Sequence, residues 1–172
     1  MRFELITAKS TDLGSPARRE PGGREPLTIG VVQIGWQADP AAHLAALSEG
    51  VHRAADVGAQ VVCLQELTLS PYFAATEQLA RDAAALAENL ADGPTFQMAR
   101  QLAASSGAII HASLFEAADD GRLGYNTAIC VDPRGQLLAR TRKTHSPGFP
   151  GYHEDLCFRH GDSGFPVVEA AG

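Results

Sequence analysis

Two side chains combine reactive chemistry with informative placement: Glu66 and Lys143. Glu66 follows the wholly apolar run Val61–Leu64, and fully buried strands in parallel sheets read that way. Ligands in open α/β sheets bind outside the carboxyl ends of the strands. A carboxylate at that boundary is half desolvated and suits proton transfer; it could equally tether the loop that follows. Lys143 ends the stretch LLARTRK in a chain with two lysines and twelve arginines, the other lysine being Lys9. A compact ammonium can stabilise an oxyanion, and a surface lysine snorkelling from a strand end is the plainer reading. Just after Lys143 come the irregular loop Ser146–Gly151 and the stretch Tyr152–His153–Glu154–Asp155, and long irregular loops in compact domains are often functional.

The other chemistry-bearing residues are sulfur and imidazole. Cys63 and Cys130 lie inside apolar runs, and Cys157 sits in DLCFRH. Three sparse cysteines suggest free thiols in a reducing compartment, so a cytoplasmic location is expected. Strand alternation places Cys63 and Gln65 on one face and Leu64 and Glu66 on the other, so Cys63 is expected to point away from Glu66. His145, His153, Cys157 and His160 could be read as a zinc cluster. The paired spacings of recognisable zinc sites are missing, so no metal is expected.

These residues need elements to position them. Leu27–Gly35 reads as a buried strand. Asp39 and Pro40 start a helix with Leu44, Leu47, Val51 and Ala54 on its apolar face, and Gly58 ends it. Val61–Gln65 is the second strand. Thr76 caps a helix with the face Leu79, Ala83, Leu86 and Leu90, stopped at Asp92–Pro94. Another helix runs from Thr95 to Gly107. Ala108–Phe115, Tyr125–Asp132 and Leu137–Arg142 are further strands. The early order implies helices covering a sheet through right-handed crossovers, and the later strands are expected antiparallel, so the sheet is mixed. Ser10–Pro26, rich in Pro, Gly and charge, has little to bury, and residues 1–26 are expected as a disordered tail. A last strand signal at Phe165–Glu169 has no partner in sequence, so the chain is expected to be a truncated piece, its domain spanning residues 27–172.

Composition narrows the classes. The chain has 172 residues, room for one domain with a real core. Its net charge of -6 argues against nucleic acid and an anionic membrane surface as partners. No apolar run reaches the length of a spanning helix.

The segments LQELTLSPYF, SLFE…GYNTAICVDPRGQLLARTRKTH and PGYHEDLCFRHGDSGFPVVEAAG, in this order, closely resemble the nitrilase superfamily of carbon–nitrogen hydrolases. Within it they look most like the N-carbamoylputrescine amidase and β-ureidopropionase branch. The resemblance implies an α/β fold, a four-layer αββα sandwich with a mixed sheet and helices on one face, here expected to be incomplete at the C-terminus. It also implies a catalytic Glu–Lys–Cys triad, with Glu66 and Lys143 as its first two members and Glu154 as a second active-site glutamate. The family's nucleophilic cysteine lies beyond the last residue of this chain. The implied chemistry is hydrolysis of a linear amide or N-carbamoyl amine through a thioester, releasing ammonia without a cofactor. Tyr72 and Phe73 could line the substrate pocket, with loop packing an equal account of them. Homo-oligomers are common in the family. A non-catalytic fragment that pairs with an intact paralogue is the alternative.

Overall fold

Asp39 starts the first helix as expected: its carboxylate accepts the Ala41 N–H at 3.0 Å, and Pro40 takes the first helical position. The structure, a computed structural model, describes residues 3–8, 26–121 and 123–170. Its elements are β1 (Ile29–Val32), α1 (Pro40–Asp56), β2 (Val61–Leu64), α2 (Glu77–Asp82), α3 (Pro94–Ser106), β3 (Ile109–Glu116), β4 (Tyr125–Val131), β5 (Leu137–Arg142), β6 (Gly148–Phe149) and β7 (Tyr152–His153). Short 3₁₀ turns occupy Phe73–Ala75, Ala83–Leu86 and Glu154–Leu156. Gly107 closes α3 with φ +72°, the left-handed conformation that glycine adopts without strain.

Five strands form one mixed sheet in the order β1-β2-β3-β4-β5. β1, β2 and β3 are parallel, whereas β3, β4 and β5 are antiparallel. Register gives the sheet two unlike faces. Val32, Val62, Leu64, Ile110, Ala112, Leu114, Ile129 and Val131 share one of them and are buried in a single cluster with Leu47 and Val51 of α1 and Met98 and Leu102 of α3. The opposite face is open over β1, where Val31 is 77% exposed. Over the ends of β3 and β4 a second cluster covers that face. It holds Leu67, Phe73, Phe115, Cys157 and Phe158.

Several expectations need correction. The helix expected after Thr76 is short: Thr76 does cap it, but α2 stops at Asp82, and Leu79 and Leu86 are exposed. A tertiary contact overrides the periodicity. The Glu88 N–H donates to the Phe115 carbonyl at 2.7 Å and the Glu88 carbonyl accepts from Ala117 at 2.8 Å, so residue 88 is extended along β3. Its carboxylate then accepts the Thr95 N–H at 2.8 Å, serving α3 as a cap. Leu44 is exposed, so the buried stripe of α1 runs through His43, Leu47, Val51 and Ala54. Phe165–Glu169 pairs with no strand among the described residues, and Phe165 and Val167 face solvent. The tail expected over residues 1–26 lies largely outside the described residues; within it, Phe3 packs on the main core beside Gly50, with Arg53 over its ring. No helix among the described residues is long and apolar enough to cross a membrane.

Candidate active site

Glu66 sits in the turn that follows β2, and that turn is stapled to β3. The Thr68 N–H donates to the Ser113 carbonyl at 2.9 Å, and the Thr68 hydroxyl accepts the Ser113 N–H at 3.0 Å while donating to the Gln65 carbonyl at 2.8 Å. Leu67 holds a left-handed backbone, φ 51°, which costs a non-glycine residue roughly 1 kcal/mol. Burial of its side chain and a 3.2 Å hydrogen bond from its N–H to Ser113 Oγ offset that strain. From below, the buried His43 of α1 meets the Thr68 carbonyl at 2.9 Å. The carbonyl can only accept, so Nε2 carries the proton.

This turn overturns the expected faces. Cys63 pairs in register with His111, and His111 with Cys130, so Cys63 lies on the face that also carries Ser113 and Asn126. Glu66 reaches Asn126 on that same face. Alternation fails because β2 ends at Leu64, two residues before the carboxylate.

Lys143 follows β5, its N–H donating to the Asn126 carbonyl at 2.7 Å. Glu154 stands on the 3₁₀ turn after β7 and is 2% exposed. The three residues singled out in the sequence meet. Lys143 Nζ lies 2.9 Å from Glu66 Oε1. The same ammonium donates to Glu154 Oε1 at 3.1 Å and stands 3.0 Å from Oε2, where hydrogen-bond geometry is lacking. Asn126 Nδ2 donates to Glu66 Oε1 at 2.6 Å, and the Tyr72 hydroxyl donates to Glu154 Oε1 at 3.1 Å. Burial works against the Lys143 ammonium, but the hydrogen bonds and charges of Glu66 and Glu154 outweigh it and hold its pKa above the ordinary lysine value. Burial, and then the Glu154 carboxylate, raises the Tyr72 phenol well above its usual value, so it remains a donor.

Tyr72 and Phe73 part company. Tyr72 is partly exposed beside Tyr152, with ring centroids 6.2 Å apart. Phe73 is 3% exposed and packs between Phe115 and Phe158, at 5.4 and 5.6 Å, so it belongs to the core and lines no pocket. Cys157 and two of the histidines also have other partners, His153 Nε2 accepting the Gly151 N–H at 3.4 Å. Cys157 Sγ donates to the His153 and Glu154 carbonyls, and His160 Nδ1 donates to the Thr144 carbonyl at 2.8 Å. Among the described residues no His, Cys, Asp and Glu side chains form a group that could hold a metal ion.

None of the three thiols is activated. Burial raises the pKa of Cys63 and Cys130, and burial followed by the Glu154 carboxylate pushes Cys157 up to about 12. A thiol in that state is a poor nucleophile at neutral pH.

A carboxylate sharing one ammonium with a second, buried carboxylate at the rim of such a sheet suits proton transfer next to oxyanion stabilisation. Among known proteins, residues 28–172 match the carbon–nitrogen hydrolase family model. The chain belongs to this family. An N-carbamoylputrescine amidase of Arabidopsis thaliana is 31% identical over 148 residues, which are 86% of this chain and 48% of that protein. A carbon–nitrogen hydrolase from Helicobacter pylori G27 superposes with a TM-score of 0.68 at 25% identity, over 83% of this chain and 47% of that one. Saccharomyces cerevisiae Nit3, of branch 10 of the nitrilase superfamily, shares the fold with a TM-score of 0.67 at 21% identity, over 84% and 52%. The chain thus spans about half the length of these relatives.

Asn126, Ser113 and His43 were not singled out in the sequence. Asn126 had a signal: an amide inside the strand YNTAICV must find partners when buried. His43 had only its place on the stripe of α1.

Proposed function

We propose that this chain carries the base and the oxyanion stabiliser of a carbon–nitrogen hydrolase acting on linear amides or N-carbamoyl amines. The observation that carries the reading is the Lys143 ammonium 2.9 Å from Glu66 and 3.0 Å from the buried Glu154. Glu66 takes the proton of a cysteine thiol, and the thiolate attacks the carbonyl carbon. Lys143 stabilises the oxyanion of the tetrahedral adduct. Glu66 returns the proton to the leaving nitrogen, ammonia departs and a thioester remains. Water, deprotonated by Glu66, then cleaves the thioester and frees the thiol. Glu154 keeps Lys143 charged and aimed, and Tyr72 holds Glu154 and borders the substrate.

Cys63, Cys130 and Cys157 are not suited to the attack, so the thiol is assigned to the part of the relatives' length that this chain does not span. The test is ammonia release from N-carbamoyl amines and simple amides. It is measured on the chain alone and on the chain mixed with the complementary half of the Arabidopsis relative. The chain alone should release none. The mixture should release ammonia, and Glu66→Gln or Lys143→Ala should lower the rate about a hundredfold or more. Turnover that survives either substitution rejects the site. Turnover by the chain alone rejects the assignment of the thiol.

A further inference from the structure

Asn126 is 5% exposed, yet its side chain carries two donors and an acceptor that all need partners. Its Nδ2 meets Glu66 Oε1 at 2.6 Å. A carboxylate only accepts, so the amide nitrogen must face it and the amide oxygen must face away. Oδ1 lies 3.4 Å from the Ser113 hydroxyl, a long contact, and Ser113 Oγ accepts the Leu67 N–H at 3.2 Å. The backbone carbonyl of Asn126 receives the Lys143 N–H. One residue therefore touches the Glu66 carboxylate with its side chain and the Lys143 backbone with its main chain.

The oxygens of Glu66 are not equivalent. Asn126 and Lys143 both donate to Oε1. Among the described residues no donor reaches Oε2. The terminal torsion of a glutamate is broad and roughly two-fold, so an unrestrained carboxylate exchanges its oxygens freely. Two donors on one oxygen remove that freedom and leave the other oxygen the more available proton acceptor.

We propose that Asn126 is a positioning residue that pins Glu66 Oε1 against Lys143 and so presents Oε2 to the proton that is transferred. The proposal rests on the reading of Glu66 and Lys143 given above. It predicts that the Glu66–Lys143 pair loosens when the amide is removed, although the Asn126 side chain is neutral and its amide nitrogen bonds to Glu66 rather than to Nζ.

Lysine NMR tests this, because Lys9 is the sole other lysine. With lysine labelled at Cε, the midpoint of the Lys143 titration reads how closely its carboxylates hold it. Glu66 and Glu154 are the charged groups on the ammonium, and Glu154 and Tyr72 stay unchanged in every variant. Glu66→Gln should lower the midpoint. Asn126→Leu, which exchanges one neutral side chain for another of similar size, should lower it by at least half as much. An unchanged or raised midpoint in Asn126→Leu overturns the proposal. An unchanged midpoint in Glu66→Gln overturns the Glu66–Lys143 pair itself and the functional reading with it. Should Asn126→Leu fail to fold, the wild-type chain still decides. The side-chain amide resonance of Asn126 should move as the Glu66 carboxylate titrates and stop moving in Glu66→Gln. An amide signal indifferent to both overturns the proposal.

Discussion

Glu116 shows how strongly one buried carboxylate can be held. Arg142 donates to it at 2.6 and 2.9 Å, and the Thr127 hydroxyl at 2.6 Å, with Arg140 3.5 Å away. Arg142 Cζ also lies over the Tyr125 ring, 3.6 Å from its centroid, and the guanidinium pairs with Asp162 at 2.8 Å. This cluster fixes the residue immediately before Lys143. Burial alone would raise the Glu116 carboxyl, but Arg142 and Thr127 outweigh it and hold the group below its ordinary value of 4.5. The sign of the linkage follows: the depressed carboxyl contributes stability that is complete above pH 4.5 and is lost as pH falls through the folded value. Glu116→Gln should therefore lower stability at pH 7 by about 2–5 kcal/mol, because Arg142 keeps its charge with a weaker partner. It should also flatten the fall in urea midpoint between pH 5 and pH 3, and an acid limb as steep as that of the wild type would contradict this account.

Among the elements, the turn after β2 has the greatest leverage on the site. It is short, left-handed at Leu67, and joined to β3 through Thr68 and Ser113. Thr68 is fully buried, so Thr68→Val leaves the Ser113 N–H and the Gln65 carbonyl unpaired. The expected cost is about 1–3 kcal/mol by chemical denaturation, together with a displaced Glu66 read as a lower Lys143 titration midpoint. A stability change below about 0.5 kcal/mol would mean that the turn is held by packing alone. Element ends were legible in the sequence where one residue type dictates them: Asp39 and Pro40 at the start of α1, Gly107 at the close of α3. The mixture of parallel and antiparallel strands was legible as well. The face of Glu66 was not, because alternation holds only while the strand lasts. The shortening of α2 was hidden because residue 88 answers to β3, which lies far from it in sequence. Meeting of Glu66, Lys143 and Glu154 was legible through the motifs, whereas the roles of Asn126 and Ser113 appear only when β3 and β4 lie side by side.

At the scale of the whole molecule, the sheet is dressed unequally. α1 and α3 cover the face that carries Val32, Val62, Leu64, Ile110 and Ile129, whereas on the other Val31 is 77% exposed and Ile29 57%. Exposed neighbouring apolar side chains of this kind bind hydrophobic dyes. Anilinonaphthalene sulfonate should fluoresce with the native chain, and Val31→Glu should reduce that signal while shifting stability by less than about 0.5 kcal/mol. A signal insensitive to Val31→Glu would place the dye elsewhere.

The division of that sheet into parallel and antiparallel halves also sets a timetable. β3, β4 and β5 meet through short connections, so little loop entropy opposes their pairing. β1 and β2 can join only after the crossovers through α1 and α3 have been closed. Refolding should therefore nucleate on the meander. Ile129→Val should slow refolding in stopped flow, and Val32→Ala should mainly hasten unfolding. Lys143 would then reach its place while the chain is still half assembled, and the carboxylate at the end of β2 would dock against it afterwards.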